Sequence, residues 1–305
     1  MSDVAVLRSQ LKRLSLHTMA ACFEQEADTA AKAGSSFTDF LARLIEQELA
    51  SKTDRSIRER ISKARFPMLR TLEQFDFAFQ PSLSAAEVRE LGNLGFLEHA
   101  ENVILVGRSG TGKSHLAISL GLKACEARRR VLFFTAAQLM EQLVAATVSR
   151  TLGSWLETLG RLDLLIIDEL GYLPVATPQH ANLFFQLISR RYERGSVILT
   201  TNRPFEQWGT TFGDDTIAAA ILDRLLHHAH ILAITGPSYR LKDKLPEQGV
   251  IAVQGDGEAD PAPRQPRIAA RGFTASGRKG QPDPARKPAQ HAGPTRQTVE
   301  LLSGG

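Results

Sequence analysis

The stretch NVILVGRSGTGKSHLA, residues 102–117, decides the fold. Val103-Ile104-Leu105-Val106 is short, apolar and rich in β-branched residues, the pattern of a parallel strand buried on both faces. It leads directly into Gly107-Arg108-Ser109-Gly110-Thr111-Gly112-Lys113-Ser114, the G-x-x-x-x-G-K-S spacing of a phosphate-binding loop. Glycines let backbone N–H groups turn inward to phosphate oxygens, Lys113 reaches the β- and γ-phosphates, and the Ser114 hydroxyl is a Mg²⁺ ligand. A helix must follow, because its N-terminus favours an anion. Leu116, Ala117, Ile118, Leu120, Leu122 and Ala124 give it a buried, apolar character. The expected ligands are a nucleoside triphosphate and Mg²⁺. The loop by itself does not separate a kinase from a GTPase or a motor.

Outward from the loop, strand-like and helix-like segments alternate from about residue 66 to 245. Candidate strands are 103–106, 131–135, 163–168, 196–201 and 230–234. Such alternation predicts an α/β fold with a parallel sheet sandwiched by helices. The run LDLLIIDELGYLP ends a strand in Asp168-Glu169, and carboxylates at the C-terminal end of a parallel strand lie beside a ligand. Asp168 suits Mg²⁺ or its water shell; Glu169 suits activation of a water for in-line attack on the γ-phosphate. The strand SVILTTNRPF ends in Thr200, Thr201 and Asn202. Asn202 is either a turn former or the polar group that holds attacking water and γ-phosphate in register. Phe75, Phe77 and Phe79 alternate ahead of the loop, as core residues or as the lining of an adenine pocket; general burial preference favours core.

The flanks differ from this centre. Residues 1–65 read as helices, with Leu7, Leu11 and Leu14 on one face and Phe37, Phe40, Leu41, Leu44, Ile45 and Leu49 on another. Ser36 and Asp39 have the spacing of a capping box. Lys52, Arg55, Arg58, Arg60, Lys63 and Arg65 outnumber Asp54 and Glu59 in the segment 51–66. They form a solvated helix face or a contact to DNA phosphates. Residues 246–305 are rich in Pro, Gly, Ala, Gln and Arg, with too few large apolar side chains to offset ordering entropy; the expectation is a disordered basic tail. At 305 residues and 43% hydrophobic content the chain can bury a sizeable core, and its net charge of +4 is compatible with nucleic acid. Cys22 and Cys125 lack metal-ligand spacing. No apolar run approaches the ~20 residues of a membrane span, and the opening residues lack a secretory leader's apolar core. The expected location is therefore cytoplasmic, with no membrane partner.

DLLIIDELGYLP, LISRRYERGSVILTTNRPFEQWG, FGDDTIAAAILDRLLHHAHILAITGPSYRLKDK and the phosphate loop together resemble the IstB-like ATPases. These are helper ATPases encoded beside a transposase in IstA/IstB-type insertion sequences, similar to DnaC and DnaA of the AAA+ class. The resemblance covers roughly residues 5–245. It implies an AAA+ P-loop ATPase domain (66–245), a small all-α N-terminal DNA-binding and assembly domain (1–65) and a tail (246–305) with no inherited role. It implies that Gly107 to Ser114 form the Walker A loop, Asp168 and Glu169 the Walker B pair, and Asn202 sensor 1. Arg240 would be the sensor 2 arginine. Arg224 would be an arginine finger reaching a neighbouring subunit's γ-phosphate. From spacing alone Arg224 reads as a surface arginine. The helical region 136–161 corresponds to an insertion that touches DNA in the initiator-like branch, with Arg150 and Arg161 as candidates beside Lys52, Arg55, Arg58 and Lys63. The implied activity is Mg²⁺-dependent ATP hydrolysis by a homo-oligomer, ring or filament, on double-stranded DNA, stimulating a partner transposase. A helicase loader and an ATP-binding assembly protein without turnover remain open alternatives.

Overall fold

Asn102–Gly107 forms the strand expected from the opening motif, and three of its apolar side chains, Val103, Ile104 and Leu105, are fully buried. In the computed structural model, which describes residues 3–172 and 177–242, the element order is as follows. Three helices come first: α1 (Asp3–Arg13), α2 (His17–Ala33) and α3 (Phe37–Ala64). Two short helices, α4 (Ala85–Gly92) and α5 (Gly95–Glu98), lead into β1 (Asn102–Gly107) and α6 (Lys113–Glu126). Then come β2 (Val131–Thr135), α7 (Ala136–Val148), α8 (Leu152–Gly160), β3 (Leu164–Asp168), α9 (Pro178–Arg191) and β4 (Ser196–Thr201). The chain continues with α10 (Trp208–Phe212), α11 (Asp215–Leu226) and β5 (Ala229–Ile234). All five expected strands are present within a residue of the expected bounds. The reading of 246–305 as a tail lies outside the described residues.

The strands form one sheet in the order β2-β3-β4-β1-β5, every pair parallel. A parallel sheet needs apolar cover on both faces, and it has two buried layers. On one face Leu165, Ile167 and Leu199 pack with Leu139, Leu143, Phe184, Leu187 and Ile221 from α7, α9 and α11. On the other, Leu105, Ile166 and Ile198 pack with Leu116, Leu120 and Phe96 from α6 and α5. Alternate residues of one strand thus serve opposite layers, as the period of two dictates. Truncating a side chain such as Ile166 would cost about 2–5 kcal/mol.

A buried cation ties the lower end of the sheet. Arg191, only 1% exposed, donates from Nη1 to the Leu159 and Leu162 carbonyls and from Nη2 to the Ser196 carbonyl. Burial pushes its pKa down to about 10. Nothing in the surrounding sequence SRRYERG distinguishes it from its neighbour Arg190, which stays outside the core.

The N-terminal helices hold a small cluster of their own, Met19, Phe23 and Leu44, with Leu11 and Phe40 against it. Ser36 and Asp39 form the expected capping box at the start of α3, and buried Glu48 accepts from the Met19 N–H at 2.8 Å. Of the apolar residues grouped by sequence on α3, Leu44 is buried, whereas Phe37 is 94% exposed and Leu41, Ile45 and Leu49 are also exposed. The helix carries more apolar surface than its short neighbours can cover. Its C-terminal end turns inward: Ala64 is buried, and Ile61 and Phe66 pack on the layer beside α6.

Candidate nucleotide-binding site

The loop between β1 and α6 is shaped by its glycines. Gly110 and Gly112 have φ of +81° and +97°, a region that disfavours any side chain. A Cβ on Gly112 would also lie 2.6 Å from the Phe75 ring. Thr111 is buried and its Oγ1 donates to the Arg108 carbonyl, while Arg108 and Ser109 are at the tip. The Tyr239 N–H donates to the Gly110 carbonyl at 2.8 Å, so the segment after β5 braces the loop from above. Phe75 is buried against this loop and meets the His115 ring edge-on at 5.3 Å. With Phe77, Leu72, Arg89, Asn93 and Lys123 it lines a cavity of about 400 Å³ beside α6. Phe75 is therefore both a core residue and part of a cavity wall.

Lys113 folds back over the loop, its Nζ donating to the Gly107 and Arg108 carbonyls, each at 2.7 Å. Burial lowers its pKa, the Asp168 and Glu169 carboxylates act to raise it, and the Arg240 guanidinium lowers it further. Lys113, Asp168, Glu169 and Arg240 therefore share one electrostatic neighbourhood, although they come from separate parts of the chain.

Beside them Asp168 is buried, and its Oδ1 accepts from Ser114 Oγ at 2.9 Å and from Thr200 Oγ1 at 2.5 Å. The Ser114 hydroxyl and the Asp168 carboxylate form an all-oxygen donor set, the chemistry a hard cation such as Mg²⁺ selects. Thr200 does more than donate. Its Oγ1 accepts from the Glu169 N–H at 2.9 Å. Glu169 is a non-glycine residue at φ +62°, and Thr200 holds that left-handed turn so that the exposed carboxylate leaves the strand end beside the loop. Thr200 is visible in the sequence only as a strand residue before Asn202. Its bridging role depends on β3 and β4 being neighbours in the sheet.

Asn202 follows at the end of β4. Its Oδ1 is buried with no hydrogen-bond partner and presses on Gly171, where a side chain would collide with it. Arg203 Nε donates to the Gly171 carbonyl at 3.0 Å, fastening the turn after Glu169 to the turn after β4. An unsatisfied buried acceptor costs roughly 1–3 kcal/mol. This one fits a site completed by a water or a bound ligand.

Arg224 is elsewhere. Asn102 pairs with Ala229 at one end of β1, and Gly107 pairs with Ile234 at the other. The strand is six residues long, which separates its ends by roughly 16 Å. Arg224 borders a crevice with Ala100, Asn102 and Tyr192, at the end of the sheet opposite the loop. The subunit does not bring Arg224 to its own phosphate loop.

The candidate DNA-contacting residues are dispersed. Lys52, Arg55, Arg58 and Lys63 lie along α3, with Lys52 paired to Glu48 at 3.7 Å and Arg55 to Glu59 at 3.2 Å. Arg150 is exposed between α7 and α8, and exposed Arg161, at the end of α8, pairs with Glu157.

A five-stranded parallel sheet flanked by helices, with a G-x-x-x-x-G-K-S loop after β1 and paired acids after β3, defines a P-loop nucleotide-binding protein. A family model for IstB-like ATP binding protein matches residues 9–246, and the chain belongs to that family. It is 46% identical over 246 residues to an insertion sequence IS21 ATP-binding protein of Pseudomonas aeruginosa, covering 80% of this chain and 91% of the relative. It is 41% identical over 232 residues to an insertion sequence IS5376 ATP-binding protein of Geobacillus stearothermophilus, covering 76% and 92%. A solved structure of the replication initiator DnaA bound to AMPPCP and single-stranded DNA aligns with a TM-score of 0.47 at 20% identity, over 58% of this chain and 56% of that one. Among the described residues no helix is long and apolar enough to cross a membrane.

Proposed function

We propose that this protein is the cytoplasmic ATPase helper of a DNA transposition system, which assembles on duplex DNA, hydrolyses ATP between subunits and stimulates a partner transposase. The observation that carries this reading is the division of the site. Lys113, Ser114, Asp168, Glu169 and Arg240 converge on one loop, while Arg224 lies at the far end of the sheet. In this reading a second subunit brings its arginine to the first subunit's nucleotide, which the placement of Arg224 away from its own loop supports. The insertion-sequence relatives supply the transposition context.

In this reading the loop N–H groups and Lys113 hold the β- and γ-phosphates of the substrate ATP. Ser114 and Asp168 would hold Mg²⁺, which when bound would supply neutralisation of phosphate charge. Glu169 takes a proton from water as the water oxygen bonds to the γ-phosphorus and the bond to the bridging oxygen of ADP breaks. Asn202 orients that water, Arg240 senses the nucleotide from within the subunit, and Arg224 stabilises transition-state charge from the neighbouring one. Lys52, Arg55, Arg58 and Lys63, with Arg150 and Arg161, contact the DNA backbone.

The test is phosphate release with and without duplex DNA, for Arg224→Ala, Glu169→Gln and mixtures of the two. Each protein alone should be nearly inactive. Mixtures should regain activity, because the first supplies an intact water-activating site and the second an intact arginine. Absence of recovery at every mixing ratio, with co-assembly verified by electron microscopy, counts against a site shared between subunits. Addition of the purified transposase to the active assembly then tests the partner.

A further inference from the structure

Arg224 is held in place by neutral groups. Its guanidinium carbon lies 4.5 Å from the centroid of the Phe185 ring, and its Nη1 donates to the Ala220 carbonyl, one turn earlier on α11, at 2.9 Å. Asp223 is the preceding residue in the chain and Glu193 lines the same crevice. Among the described residues, however, no carboxylate pairs with Arg224. A carboxylate partner would fix the side chain but cancel its charge. A ring face and a peptide carbonyl fix it and leave the charge for an incoming anion.

Helix geometry explains why the ring is available. In the run Leu183-Phe184-Phe185, Phe184 is 1% exposed and packs in a tilted pair with Phe212 inside the core. The 100° step to the next residue turns Phe185 toward the rim, where it is only half-buried and packs on the edge of the core. α9 lies beside α11, so this rim position comes under Arg224. Two phenylalanines that are adjacent and equal in the sequence thus take different tasks.

We propose that Phe185 is a positioning residue for Arg224. Its ring, with the Ala220 carbonyl, holds the guanidinium in one place at the subunit surface and leaves it unneutralised, available to the γ-phosphate on a neighbouring subunit. This rests on the reading of Arg224 as the arginine supplied in trans. Without the ring the long, flexible side chain samples many rotamers, and its charge reaches the transition state in only a fraction of encounters.

The experiment compares Phe185→Leu, Phe185→Tyr, Arg224→Ala and the double variant Phe185→Leu/Arg224→Ala in the full-length protein. DNA-stimulated kcat, KM for ATP, nucleotide binding by isolated subunits and thermal midpoint are measured for each. Phe185→Leu should lower kcat about three- to tenfold, the range set by a partly exposed cation–π contact. KM and ATP binding should hold, and Phe185→Tyr, which keeps the ring, should stay within about twofold of wild type. In the Arg224→Ala background, Phe185→Leu should cause no further loss, because the two act as one unit. Mixing Phe185→Leu with Glu169→Gln protein should raise activity above the value expected from dilution, since the second protein donates a ring-held arginine.

The outcomes separate the two readings. Wild-type kcat in Phe185→Leu beside a defective Arg224→Ala overturns the role of Phe185 and leaves the arginine in trans standing. Wild-type kcat in Arg224→Ala removes both. A Phe185→Leu loss that adds to Arg224→Ala, that Tyr does not restore, or that mixing does not relieve assigns the ring to core packing and overturns the proposal.

Discussion

At the scale of single residues, the site is a set of hydrogen bonds arranged so that each acid has a defined neighbour. Asp168 is buried and receives two hydroxyls; Glu169 is exposed and is fixed through its backbone. In the proposed reading this difference in environment suits Asp168 to a cation and Glu169 to a water. Glu169→Gln should therefore retain ATP binding and lower turnover by about a hundredfold or more, the scale of a lost general base, as read by nucleotide binding beside phosphate release. Wild-type turnover would remove Glu169 from the chemistry. Thr200→Val keeps the shape of the side chain and deletes both of its hydrogen bonds, leaving the Glu169 N–H without its partner. The expected cost is about 1–3 kcal/mol. It should appear as a lower thermal midpoint and a kcat reduced roughly tenfold, with ATP affinity nearly unchanged; Thr200→Ser should restore both. A Val variant with normal kcat would show that Glu169 keeps its turn without the bridge.

At the scale of elements, α3 serves two ends of the molecule. Its first turns carry apolar residues facing outward, its last turns pack on the sheet layer beside α6, and its basic residues lie between. Lys52 and Arg55 already have glutamate neighbours one turn away, which discounts their pull on an anion; Arg58 and Lys63 have no ion pair among the described residues. The slope of log affinity against log salt is set by the number of phosphates the protein neutralises, about 0.9 for each. Changing Arg55, Arg58 and Lys63 together to Ala should weaken DNA binding similarly on all sequences and reduce that slope by roughly two to three, measured by salt titration of binding. An unchanged slope would move the DNA-binding surface off this helix. Since all three residues are on the outer face of α3, the fold should persist, which circular dichroism checks.

At the scale of the whole molecule, the match to the family ends at residue 246, and the basic Pro- and Gly-rich segment follows. Its arginines could supply nonspecific attraction to DNA by themselves. A chain ending at Lys244 should keep ATP-dependent assembly on duplex DNA and keep DNA-stimulated phosphate release within about twofold, because the loop, the acids and Arg224 all precede the cut. Electron microscopy of the shortened protein with ATP, with and without DNA, measures this directly. Failure of the shortened chain to assemble, with the α3 triple variant unaffected, would reassign DNA binding to the segment after Lys244.

Sequence by itself determined what depends on local order. The run Val103–Val106 read as a buried strand because a glycine-rich loop and a helix pattern followed it, the glycines of 107–112 read as a tight loop, and the acids at 168–169 stood at the end of an apolar, strand-like run. Periodicity is a property of neighbours along the chain, and these features are made of such neighbours. Tertiary structure alone decided what depends on strand order. Thr200 became the bridge between Asp168 and Glu169 because β4 inserts beside β3. Arg191 became a buried clamp on three carbonyls although Arg190, identical and adjacent, stayed outside. Arg224 gained a ring from α9, far upstream in the chain, and stands apart from its own loop because α11 ends beside the opposite end of the strands. The physical reason is common to all three: a side chain's role is fixed by what packs against it, and packing partners lie far apart in the sequence.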